Sequence, residues 1–135
     1  MVSMIRNTRN NRGNSVVEFA LILPLILLLI FGITEFGRAW MTVNVMHSAV
    51  REGARLAAVT APDVSAVTAR VNAVCGAANV TTSSVTVTGP APGDPEKKIT
   101  VTATADFTVI PGTILGSFQG TIPLSASMTM RHEGL

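Results

Sequence analysis

Between Glu18 and Glu35 the chain passes through 16 consecutive uncharged residues, Phe19 to Thr34, reading FALILPLILLLIFGIT. At 1.5 Å per residue a helix of that length covers ~24 Å. This is short of the ~30 Å hydrocarbon layer of a bilayer, so a spanning helix must recruit its flanks and draw Glu18 to the boundary. Twelve of the residues are Leu, Ile or Phe, which together favour insertion by roughly 4 to 7 kcal/mol. A carboxylate at mid-membrane opposes insertion by ~3 kcal/mol and one near the end by less, so insertion wins. Arg6, Arg9 and Arg12 precede the run, whereas Glu35 and Arg38 lie beyond it. The positive-inside rule then keeps the N-terminus in the cytoplasm and exports the chain from about residue 36 onward. The stretch GITEFGRAW offers no small-x-small cleavage site, so a lasting anchor fits better than an ordinary signal peptide.

The remaining composition narrows the function. Only 13% of the 135 residues are charged, about half the usual ~25% of a soluble domain. The length allows one small domain beside the apolar segment and excludes a multidomain enzyme. A single cysteine, Cys75, excludes an intrachain disulfide framework and any multi-cysteine metal site. There is no Tyr, and the two histidines, His47 and His132, are distant with no ligand pattern nearby; few of the usual catalytic side chains are present, and no catalytic group, metal or cofactor is expected. The formal charge is only +2, with three of the ten basic residues in the first twelve. Nucleic-acid binding has no support.

Beyond the run the apolar residues become periodic. Phe36, Trp40, Val43, Val50 and Ala57 recur at steps of three, four or seven, which predicts one helix over about residues 15–60, apolar in its first half and amphipathic in its second. Pro24 removes one backbone hydrogen bond within it. Ala61-Pro62-Asp63 breaks the pattern, with Pro62 suited to the first turn of a second helix. Val64, Val67, Val71 and Val74 carry that helix to about Cys75, where Gly76 closes it. Period two then takes over in residues 84–88, in 99–107 and from Leu124 to Met130. Residues 89–96, GPAPGDPE, and the stretch from Pro111-Gly112 read as irregular. Pro123 implies that the last strand starts late or lies at an edge. The expected fold is α+β: a long helix, a short helix and a three-stranded antiparallel meander packed on the amphipathic half of the first.

Two groups of residues could carry function. An acid beside an apolar run, such as Glu18, is a functional hypothesis that needs a partner. A cut after Gly13 would place a new α-amine at Asn14, one helical turn before Glu18; alternatively Glu18 simply reaches the cytoplasmic interface. The second group is Arg51-Glu52-Gly53-Ala54-Arg55. Arg51 and Arg55 share a helix face and Glu52 lies about 100° round, which fits either a solvated face or a docking site in which Gly53 and Ala54 allow close approach. Cys75 reads as a small buried residue or, in an oxidising compartment, an intermolecular partner. Asn79-Val80-Thr81 is a glycosylation triplet of low specificity. Gly112, Gly116 and Gly120 lie outside the apolar segment and read as loop glycines.

The string RGNSVVEFALILPLILLLIFGITEFGRAW, with REGARLAAV further on at residues 51–59, resembles the TadE-like family of tight-adherence pilus proteins, minor pilin-like relatives of the Flp pilins. Gly13 matches the residue before the family's scissile bond, Glu18 its acidic position, and Phe19 the aromatic next to it. Pro24, the Arg51 to Arg55 string and the ending Met130-Arg131-His132-Glu133 also match. Some relatives carry two cysteines in the exported domain, where this chain has Cys75 alone.

The resemblance implies cleavage between Gly13 and Asn14 by a prepilin peptidase. The expected organisation is a basic cytoplasmic leader (1–13), a transmembrane helix (14–35) and an exported pilin-like domain (36–135) in the inner membrane. Expected partners are the peptidase, other pilin-like subunits, inner-membrane platform proteins and membrane lipid, with Glu18 and Phe19 setting subunit register and Arg51, Glu52, Gly53 and Arg55 making contacts. The function implied is non-enzymatic pilus biogenesis; the alternative is a permanently anchored, uncut binding or scaffold module.

Overall fold

The computed structural model describes residues 12–59, 63–90, 95–110 and 120–132, with side chains from Ser15 onward. The expected leader, the Ala61-Pro62 break, half of the 89–96 loop, the stretch 111–119 and the closing Glu133 lie wholly or partly outside these residues. The fold is α+β, with α1 (Arg12–Val59), α2 (Val64–Ala77), β1 (Thr82–Thr88), β2 (Lys98–Thr108) and β3 (Thr121–Arg131). It divides between Thr34 and Glu35 into two compact units.

The first unit contains the apolar part of α1. Helix continues through Pro24, and every described side chain from Ser15 to Thr34 is exposed. The Thr34 hydroxyl donates to the Ile30 or Phe31 carbonyl, at 3.1 and 2.9 Å. Its polar group is therefore satisfied within the helix, as a lipid environment requires.

The second unit is built on an antiparallel sheet of order β1-β2-β3. Alternation sends Ile99, Val101, Ala103, Ala105 and Phe107 of β2 to one face, all buried. Val85 and Val87 of β1 and Leu124, Ala126, Met128 and Met130 of β3 pair beside them in register. This face closes on Met46, Ala49, Val50, Ala54 and Ala57 of α1 and on Val67, Val71 and Cys75 of α2. The other face carries rows of hydroxyls, such as Thr86, Thr102 and Ser127, and Thr88, Thr100 and Thr129. Thr100 Oγ1 and Thr129 Oγ1 share a hydrogen bond of 2.9 Å. Pro123 lies inside β3 opposite Asp106, so the strand begins before it; β3 is an edge strand, where a missing N–H is tolerated.

Two local expectations are corrected. Phe36 and Trp40 are not part of the core stripe, being 70% and 62% exposed, whereas Met46, Ala49, Val50 and Ala57 are buried. The buried stripe thus begins further along α1, at Met46, and is small-sided around Gly53, where α2 approaches closely. α2 starts at Val64 after the N-cap Asp63. Gly76 does not close it. Helix runs to Ala77, and Asn79 takes the left-handed conformation at φ 56°. Val80 N–H donates to Cys75 O at 2.9 Å and Asn79 N–H to Gly76 O at 3.0 Å, the paired closure of a helix end in which Asn replaces the usual Gly.

The tightest approach is at Gly53. A Cβ there would lie 2.6 Å from Val71 Cγ2, 3.4 Å from Val67 Cγ1 and 3.6 Å from Val101 Cγ1. Val71 is β-branched and stiff on its helix, so it cannot swing aside. Gly53→Val is expected to lower unfolding stability by about 1–3 kcal/mol through overpacking. Val71→Ala should recover part of that loss in a double-mutant cycle monitored by denaturant unfolding.

At the start of α2 the Asp63 carboxylate accepts from Ser65 Oγ at 2.7 Å, Ser65 N at 2.9 Å and Ala66 N at 3.4 Å. These bonds, the Ser65 hydroxyl first, hold its pKa below the ordinary 3.8. A depressed folded pKa adds stability that is complete above the ordinary value and lost as pH falls through the folded one. Asp63→Ala is therefore expected to lower Tm at neutral pH, and the gap to wild type should close as pH is taken below 3.8.

Candidate assembly interface

The Arg51 to Arg55 string separates into outward and inward residues. Arg51 and Arg55 are exposed, and neither has a salt bridge among the described residues. Glu52 turns toward α2, where Arg70 Nη2 donates to its Oε1 at 2.9 Å. Gly53 and Ala54 are buried. The close approach expected of these small residues thus occurs inside the chain, while the two arginines present free positive charge. Arg70 carries no signal in the sequence, since a cation on an amphipathic helix does not reveal a partner eighteen residues away.

A second polar group forms at the start of the α+β unit. Arg38 Nη1 lies 2.8 Å from Glu35 Oε1, and the Glu35 side chain is only 12% exposed. Glu35 Oε1 also accepts from Ile110 N at 3.3 Å, and the Arg38 guanidinium sits 5.0 Å above the Phe107 ring. These two charges are held by the domain. Phe36 and Trp40, stacked with centroids 6.3 Å apart, stay exposed.

In the apolar unit, Gly13 and Asn14 have helical backbone, and the Glu18 and Phe19 side chains are exposed. Cys75 is fully buried, and burial raises its pKa, which keeps the thiol protonated and unreactive. His132 Nδ1 lies 3.3 Å from Ala57 O, and the His132 backbone N–H donates to Lys97 O at 2.7 Å. This residue fastens the end of β3 to α1. His47 is exposed, and no group of three His, Cys, Asp or Glu able to hold a metal occurs among the described residues.

Among the described residues one helix is long and apolar enough to cross a membrane, and it leads into a small α+β unit; this defines the class, an α+β chain with a candidate membrane span. Residues 13–55 match the family model described as TadE-like protein. The match begins at Gly13 and ends at Arg55, taking in the apolar run and both ends of the arginine string. No curated protein and no solved structure matches the chain.

Because Arg51 and Arg55 are exposed and make no salt bridge among the described residues, replacing both by Ser is expected to change unfolding stability by no more than about 0.5 kcal/mol. Thermal unfolding of the double variant checks this.

Proposed function

We propose that the protein is a non-enzymatic, minor pilin-like subunit for biogenesis of a tight-adherence pilus. The observation that carries this reading is the TadE-like match, which starts at Gly13 and runs to Arg55. It supports association with that pilus, and the candidate span supports a membrane-anchored form. In the proposed pathway the chain enters the inner membrane with its N-terminus inside and the α+β domain outside, and a prepilin peptidase cuts between Gly13 and Asn14.

The cut has a physical effect on assembly. It removes Arg6, Arg9 and Arg12, so Lys+Arg falls from 10 to 7 against 8 Asp+Glu and the formal charge changes from +2 to −1. The positive charge that retains the N-terminus on the cytoplasmic side is reduced. The new Asn14 amine lies four residues before Glu18, one helical turn, and opposite charges attract strongly where water is excluded. Pairing the amine with Glu18 of a neighbouring subunit sets the register of apolar helices that substitute for lipid, with Phe19 packing alongside. Arg51 and Arg55 then offer outward cations to acidic surfaces of other pilin-like subunits or platform proteins.

Co-expression with a prepilin peptidase, with intact-mass spectrometry as the readout, is expected to yield a chain beginning at Asn14, while Gly13→Arg should remain full length, inserted and unassembled. Material from a host with its own pilus machinery that still carries Met1 to Arg12 would favour the uncut anchor instead.

A further inference from the structure

We propose that Phe36 and Trp40 form a lipid-binding belt that seats the start of the α+β unit in the headgroup boundary of a phospholipid bilayer. These two residues are 70% and 62% exposed. They present large apolar surface one helical turn apart, and the two rings stack at 23° between planes.

The neighbouring charges are arranged to allow this. Glu35 and Arg38 would oppose contact with lipid if they shared the aromatic face. Instead they pair with each other at 2.8 Å, and they reach Ile110 N and the Phe107 ring on the domain side. Residues four apart on a helix share a face, so Phe36 and Trp40 point one way while Glu35 and Arg38, three apart, point another. The polarity changes within one further turn: Asn44, His47, Ser48 and Arg51 are all exposed. Large apolar side chains thus end at Met41 on the outer surface of this helix segment, and polar ones take over.

Length points to the same occupant. The uncharged run of 16 residues covers only ~24 Å of a ~30 Å hydrocarbon layer. Counting from Phe19 to Trp40 gives 22 residues, or ~33 Å of helix, which brings Trp40 to the boundary. Aromatic rings with an apolar body and a polar edge favour that depth, and Trp does so most clearly. Bilayer lipid is the occupant because the belt continues the candidate span directly in sequence.

The inference rests on the apolar half of α1 spanning a membrane, and Trp40 is the only tryptophan, so its fluorescence tests it in the unaltered full-length chain. The protein is reconstituted in phosphatidylcholine–phosphatidylglycerol vesicles containing lipids brominated either near the glycerol or near the chain end, and the vesicles are floated. Trp40 emission is expected to shift to the blue and to fall about twofold more with the shallow bromines than with the deep ones, as an interfacial ring requires. Failure to float would overturn both the spanning reading and the belt. Flotation with Trp40 open to aqueous acrylamide and insensitive to bromine would overturn the belt alone. Shielding from both quenchers that disappears on diluting the protein in lipid would also overturn it, and would assign the face to a second copy of the chain.

Discussion

The α+β unit depends on how closely α1 approaches α2 and the sheet at Gly53. Valines from both elements, Val67 and Val71 of α2 and Val101 of β2, lie where a side chain at 53 would stand. With hydrogen in that place, one amphipathic helix can cover the sheet and receive a second helix without a void. Buried residues along this face of α1 are accordingly small, Ala49, Ala54 and Ala57, with Met46 and Val50 filling the wider gaps. Each fully buried Val or Met adds roughly 1.5–3 kcal/mol relative to exposure. Such a core is thin, and its other supports are local: the Asp63 cap, the Asn79 closure and the His132 tie between β3 and α1.

Much of this architecture is legible in the sequence because it is a consequence of period. The alternation from Ile99 to Phe107 specifies the central strand and its buried face, and the valines of α2 specify a short helix. Boundaries are less legible. Gly76 reads as a helix end by residue preference, but the closing hydrogen bonds require a left-handed residue at 79, and Asn can supply it. Periodicity places Phe36 and Trp40 in the core stripe because it ranks size and hydrophobicity. It cannot see that the buried stripe begins only at Met46 and is small-sided around Gly53.

The sites are less legible than the fold. Local spacing places Arg51 and Arg55 on one face, and both are exposed. Nothing local indicates that Glu52 meets Arg70 or that Glu35 meets Ile110, because those partners come from elsewhere in the chain. The exposed Glu52–Arg70 pair adds at most about 1 kcal/mol. The larger consequence of these contacts is directional: each occupies a charge within the domain and leaves a neighbouring face free for something else. Beside Glu52 that face bears two cations, and beside Glu35 it bears two aromatic rings.

This division of charge also separates the two units chemically. From Phe19 to Thr34 the side chains are apolar on every side except for Thr34 itself, whose hydroxyl is satisfied by its own helix. A helix with that surface is stable in lipid or packed among other apolar helices. A polar group on it adds a specific contact that can fix register between such helices. In the first unit Glu18 is the one carboxylate among the described side chains, so it is where a specific contact can be built. Shape specificity is left to the α+β unit, where Gly53 and its valines define a single packing. The two units thus differ in what they can specify: the apolar one carries a single described acid, and the α+β one carries a close-packed core with two exposed arginines.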